Sequence, residues 1–258
     1  REEYREYHRG FKDGVRGIMT SAAKTLTAPF PAPQWLEYPG VTPEHLYTNQ
    51  IQPYFRAPHI FLGFPMRYND RGWSEPMLDL PGKDERLVRA KSHPRYGTAV
   101  TDAVLISSRD GRKFHRWAEA FIRPGPRERH SWVYGDNFVF WGMYETKSAV
   151  EDTPNEISLL ATESYWEGVY TSVRRYTLRI DGFASAYAPL AGGEFVTRPI
   201  RFDGGNLALN VETSGAGSIQ VEIQDVQGKP IAGYSLADCP PIFCDRLVKI
   251  VRWKPRGG

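Results

Sequence analysis

Ala103-Val104-Leu105-Ile106-Ser107-Ser108-Arg109-Asp110-Gly111-Arg112-Lys113-Phe114 reads as an apolar strand, an Asp-Gly turn and an aromatic residue opening a second strand. The Asp-Gly pair supplies the positive backbone dihedrals of a tight hairpin, and the aromatic that follows packs beside it. Val173-Arg174-Arg175-Tyr176-Thr177-Leu178-Arg179-Ile180-Asp181-Gly182-Phe183 repeats that outline, and Val15-Arg16-Gly17-Ile18-Met19-Thr20-Ser21 gives a fainter version. The fainter copy leads to Trp35-Leu36-Glu37-Tyr38-Pro39-Gly40, which matches Ala120-Phe121-Ile122-Arg123-Pro124-Gly125. Starts at 15, 103 and 173 set a period of about 70 to 90 residues, which suits four-stranded propeller blades with long connections. Ordinary hairpins that happen to look alike are the plainer alternative.

The rest of the chain agrees with an all-β reading. Twenty prolines and 24 glycines interrupt it too often for long amphipathic helices, and β-branched and aromatic runs fill the gaps. Further strand-like runs lie at Gln50 to Phe55, His59 to Phe64, Phe138 to Tyr144 and Ile157 to Thr162. No stretch approaches the roughly 20 apolar residues of a membrane helix, so a soluble protein without membrane partners is expected. The net charge of +3 is spread over single and paired basic residues rather than a stripe, which gives nucleic-acid binding little support. Cys239 and Cys244 flank Pro240-Pro241-Ile242-Phe243, either as a small disulfide loop or as two thiols. No second Cys or His pair stands at zinc-ligand spacing beside these two, so a metal site is not expected.

The texture changes from Glu194 onward. Asn206-Leu207-Ala208-Leu209-Asn210-Val211-Glu212 and Ser218-Ile219-Gln220-Val221-Glu222-Ile223-Gln224 both alternate, with Gly215-Ala216-Gly217 between them. That pattern predicts a hairpin with one buried face, and Val248 to Trp253 supplies a last strand. The expected organisation is a β-propeller portion over residues 1–190 and a small antiparallel β-sandwich over residues 191–258.

Several segments carry a family resemblance. Leu46-Tyr47-Thr48-Asn49, Pro53-Tyr54-Phe55-Arg56-Ala57-Pro58-His59-Ile60-Phe61-Leu62-Gly63-Phe64-Pro65, Phe121-Ile122-Arg123-Pro124-Gly125, Gly192-Gly193-Glu194-Phe195-Val196-Thr197 and Gly228-Lys229-Pro230-Ile231 resemble proteins grouped with glycoside hydrolase family 32. Those are the five-bladed propellers of the invertase, levanase and arabinanase group. The resemblance implies five blades, whereas the sequence repeats supply two full blades and part of a third, so the chain is expected to begin inside the propeller. The resemblance implies no cofactor and a carbohydrate partner, and it requires missing blades or another chain to cover the open strand edges. The Trp-Asp-Pro-Asn, Arg-Asp-Pro and Glu-Cys-Pro runs of the invertase group are absent from the sequence.

Glycoside hydrolysis needs two carboxyl groups about 5 to 9.5 Å apart, one acting as acid and the other as nucleophile or base. Glu163, Glu145 and Asp102 are the candidates, each at the end or opening of an apolar run. Glu163 precedes Tyr165 and Trp166, which can stack on a sugar ring; apolar surroundings would raise its pKa and suit a general acid. A solvated strand-end glutamate is its bland alternative. Asn49, Gln50, Gln52, Tyr54, Arg56 and His59 form the densest polar set on a strand-like segment and are candidate sugar contacts, Arg56 through its planar fork. Trp117, Trp132 and Trp141 read first as core, with Trp141 also a candidate platform. A glycosidase acting on a fructoside, arabinoside or similar furanose is the leading expectation. A non-catalytic carbohydrate-binding propeller and a structural or interaction module are its rivals.

Overall fold

Strands dominate the computed structural model of the protein, which describes residues 3–254: 37% of it is strand and 8% helix, so the all-β expectation holds. β1 (Tyr4–Lys12) and β2 (Val15–Ala23) form a hairpin through Asp13-Gly14, both left-handed with φ of 51° and 78°, the geometry a two-residue turn requires. β3 (Gln34–Trp35) adds to the free edge of β2.

The next strands are β4 (Gln52–Tyr54), β5 (Ala57–Gly63) and β6 (Met66–Asp70), followed by two short helices, α1 (Glu75–Leu78) and α2 (Lys83–Ala90). β7 (Ala99–Ser108) and β8 (His115–Ile122) complete a sheet of order β4-β5-β7-β6, with β8 also on β7. β6 pairs the first half of β7 and β5 the second, and Val104 N–H bonds the Pro65 carbonyl between them at 3.0 Å. β5 and β6 therefore run as one strand interrupted at Phe64-Pro65, and the sheet has four antiparallel ribs. The quoted Asp-Gly turn closes β7 onto β8 as read. Ser108 Oγ accepts from Gly111 N–H at 2.9 Å, Asp110 Oδ1 accepts from the N–H groups of Arg112 and Lys113, and Gly111 takes φ of 80°.

The first two sheets share one core. Ile18 and Leu36 meet Phe61, Val104, Ile106 and Phe114, with Tyr7 packed against them. Burying an isoleucine such as Ile106 completely stabilises the fold by about 1.5–3 kcal/mol. β9 (Tyr144–Thr146), β10 (Glu156–Glu163) and β11 (Ser172–Arg179) form a third sheet, of order β11-β10-β9. The strand expected over Phe138 to Tyr144 is reduced to a single bridge, Val139 to Ala161, because Trp141 is exposed and Gly142 turns the chain at φ of 131°.

The chain divides into two compact units, Arg1–Glu145 with Ser158–Thr177, and Thr146–Ile157 with Leu178–Gly258. In the second, β12 (Ala208–Glu212) pairs antiparallel with β13 (Asp245–Ile250). This corrects the expected hairpin with residues 218–224. Gly215-Ala216-Gly217 does turn, but Thr213 N–H bonds the Cys244 carbonyl and carries β12 toward β13, while Ile219 bridges Ile242. Alternation shows that a face is buried without showing which strand covers the edge. Cys239, Ile242 and Val251 form this unit's core, and both cysteines are free thiols.

Candidate functional site

In the first unit, the loop joining β8 to the third sheet is held from two sides by buried threonines. Thr101 on β7 donates its hydroxyl to the Asp136 carbonyl at 2.6 Å, and Asn137 Nδ2 returns a bond to the Thr101 carbonyl at 3.1 Å. Thr162 on β10 donates to the Gly135 carbonyl and accepts from Phe138 N–H at 3.2 Å. Gly135 has φ of 88°, and a Cβ there would lie 2.1 Å from Cδ1 of Tyr165, so only glycine lets that ring approach the loop.

The Asp136 carboxyl sits in this clamp at 4% exposure. Burial raises its pKa to about 7, against the opposing pull of the Tyr165 and Val133 backbone N–H groups; the charges of Glu163 and Glu167 raise it further. Tyr165 N–H donates to Asp136 Oδ1 at 2.9 Å. Glu163 behaves oppositely. Arg174 Nε donates to its Oε1, as does the Tyr176 hydroxyl at 3.0 Å, and the Arg174 bond, outweighing partial burial, holds Glu163 below the usual carboxylate range. This corrects the expectation of a raised pKa, because both donors come from β11 and were invisible in the Ala161–Trp166 run.

Aromatic rings cluster on the segments that carry the two carboxyls. Tyr134 lies 5.5 Å from Tyr47, 5.9 Å from Tyr165 and 5.0 Å from Trp166, centroid to centroid, and the Arg9 guanidinium sits 4.4 Å over Tyr47. Behind them runs an ionic network. Arg89 Nη1 bonds Glu167 Oε1 at 2.7 Å, and His130 approaches the other Glu167 oxygen at 3.3 Å while stacking on Tyr170. Buried Arg86 donates to the Trp132 and Ser131 carbonyls at 2.9 and 2.8 Å. Four of the non-glycine residues with positive φ, Trp132, Asn137, Ser164 and Trp166, lie in these two loops.

The sequence-derived candidates fall in several places. Glu163, Tyr165 and Trp166 are brought together here. Asp102 faces Arg67 in a two-pronged ion pair, 2.9 and 2.7 Å, and Arg67 also reaches Glu44. Glu145 lies on β9, 3.9 Å from Arg56. Asn49 donates from Nδ2 to the Tyr7 carbonyl and accepts at Oδ1 from Ile51 N–H. Tyr54 is buried, whereas Gln52 is half-buried with its Nε2 unpaired. His59 is exposed, and Trp141, 67% exposed, is a surface residue rather than core. Asp136, Glu167, Arg86, Arg89, His130 and Tyr134 were missed. The available signal was the run Trp132-Val133-Tyr134-Gly135-Asp136-Asn137, a turn cluster with aromatics before it.

Among the described residues there is no group of three or more His, Cys, Asp or Glu side chains able to hold a metal, and no helix is long and apolar enough to cross a membrane. The chain matches no protein-family model, no curated protein and no solved structure.

Proposed function

We propose that this protein is a glycoside hydrolase-like enzyme that cleaves a glycosidic bond, with a furanoside of fructose or arabinose type as the leading substrate class. The observation that carries the reading is the split between two carboxyls of one site, Asp136 protonated up to about pH 7 and Glu163 held ionised. Paired titratable groups pushed apart in this way divide acid and base roles between them. In this reading Asp136 gives its proton to the glycosidic oxygen as the C–O bond breaks. Glu163 sets its negative charge against the oxocarbenium-like carbon, water adds to that carbon, and the proton the water sheds returns to the Asp136 carboxylate. Tyr134, Tyr165 and Trp166 offer rings for sugar stacking. Asp102 is less suited, since both of its oxygens are engaged by Arg67.

The architectural reading that goes with it is a partial five-bladed propeller followed by a small antiparallel sandwich. Its support is the succession of three antiparallel sheets along the chain, the second with four ribs in sequence order, and the β12-β13 pair with its Ile219 to Ile242 bridge.

The test is turnover on a panel of aryl fructosides, arabinofuranosides and related oligosaccharides. Asp136→Asn and Glu163→Gln are each expected to lower kcat by about 10²- to 10⁴-fold. Parent activity should also decline as pH rises through about 7, where Asp136 loses its proton. Variants as active as the parent would remove the pair from the mechanism. A non-catalytic carbohydrate-binding protein is the second reading, favoured by the arginine beside each of Asp102, Glu145 and Glu163. Sugar binding without turnover on any substrate would select it.

A further inference from the structure

A cleft of about 360 Å³ opens in the first unit where β6 and β8 end and β7 begins, lined by Arg71, Arg123, Asp102 and Trp132. Its volume falls in the range of small-ligand sites. Arg71 and Arg123 are exposed, and among the described residues neither guanidinium makes a hydrogen bond or an ion pair. The one carboxylate on the lining, Asp102, is already neutralised by Arg67 through two bonds. The nearby Asp70 accepts from Gly72 N–H at 3.1 Å and from the Thr98 hydroxyl at 2.6 Å. The cleft thus presents two unused cationic forks, the donor geometry that matches a carboxylate or a sulfate.

The aromatic wall is built at a cost. Trp132 adopts φ of 59°, a left-handed backbone that a bulky residue holds only when its surroundings impose it. Arg86, 1% exposed, imposes it by donating to the carbonyls of Trp132 and Ser131. Trp132 Nε1–H bonds the Gly125 carbonyl at 3.0 Å, and the indole packs against Met77, Leu80 and Val100. A strained tryptophan fixed beside two unpaired arginines is a rigid ring platform next to an anion fork.

We infer that this cleft binds an anionic saccharide, its ring on Trp132 and its carboxylate or sulfate group between Arg71 and Arg123. The choice of a saccharide rests on the proposed carbohydrate function; the anion fork does not. Equilibrium binding separates the two, because it needs no turnover and a hydrolytically inert protein can still pass.

The experiment is calorimetric titration of the full chain, and of its Arg71→Ala, Arg123→Ala and Arg71→Lys variants, with glucuronate, glucose 6-sulfate, neutral glucose and inorganic sulfate. One or both acidic sugars are expected to bind, the stronger identifying the anionic group. Glucose and inorganic sulfate are each expected to bind at least about tenfold more weakly, and either alanine variant to lose about tenfold in affinity, with the lysine variant in between. Both arginines are exposed, so unchanged circular-dichroism melts are expected for the variants. Failure of both acidic sugars to bind, inorganic sulfate binding as tightly as they do, or alanine variants binding like the parent would each overturn the proposal.

Discussion

Asp136 and Glu163 carry opposite pH signatures, and the sign at Asp136 can be measured. Its folded pKa of about 7 lies above the ordinary 3.8, so between those values the folded protein keeps a proton that the unfolded chain releases. Stability from this group is complete below about pH 4 and is lost as pH rises through about 7; the full difference corresponds to roughly 4 kcal/mol. Glu163 runs the other way, its contribution present above the ordinary carboxylate pKa and lost as pH falls. Urea unfolding of parent and Asp136→Asn at several values between pH 4 and 8 isolates the first effect. The parent should lose stability relative to the variant as pH rises, and a constant gap between them would show that the carboxyl is not held protonated. Glu163 was legible as a candidate because a glutamate before two aromatics stands out in sequence. Its ionisation was not, since Arg174 and Tyr176 lie 11 and 13 residues further on, in a neighbouring strand.

At the scale of elements, the Asp-Gly signals divided: Asp110-Gly111 closes β7 onto β8 as expected, whereas Asp181-Gly182 follows β11 into residues 184–205, which form no second strand. The Asp110-Gly111 turn joins strands adjacent in sequence, and its chemistry is contained in a few residues; the equivalent Asp13-Gly14 turn, with β1 before it, went unread. Pairings across longer separations were not legible: β12 finds β13 rather than the alternating segment beside it. Nor was the role of α2, an eight-residue helix whose Arg86 and Arg89 reach the Ser131–Trp132 carbonyls and Glu167. The loop these residues support depends on Gly135, where the left-handed backbone and the Tyr165 ring both exclude a side chain. Gly135→Ala should therefore destabilise the first unit by about 2–4 kcal/mol, from backbone strain plus overpacking. Chemical denaturation followed by tryptophan fluorescence measures it, and an unchanged midpoint would mean that the ring does not seat on the loop.

For the molecule as a whole, the all-β class was legible from proline, glycine and β-branched usage, and the texture change from Glu194 onward set the expected boundary at 190/191. The second compact unit begins its long segment at Leu178 and also includes Thr146–Ile157, a piece remote in sequence that joins through space and leaves no local signature. Between β11 and β12, residues 184–205 form neither strand nor helix, yet they carry apolar side chains in the open: Tyr187 at 87%, Leu190 at 81%, Phe195 at 73% and Phe202 at 68% exposure. Chymotrypsin cuts after such residues, and a segment outside any sheet can enter the protease without the fold opening first, whereas sites in β7 or β10 wait for unfolding. Brief digestion at low protease should therefore cut first within 187–202, leaving an N-terminal fragment that contains β1 to β11 and a C-terminal one that contains β12 and β13. Mass spectrometry of the earliest products decides the matter: first cuts inside Ala99–Ser108 or Glu156–Glu163 would show that those strands open more readily than the exposed apolar segment, and that the sheets are not the stable part of this chain.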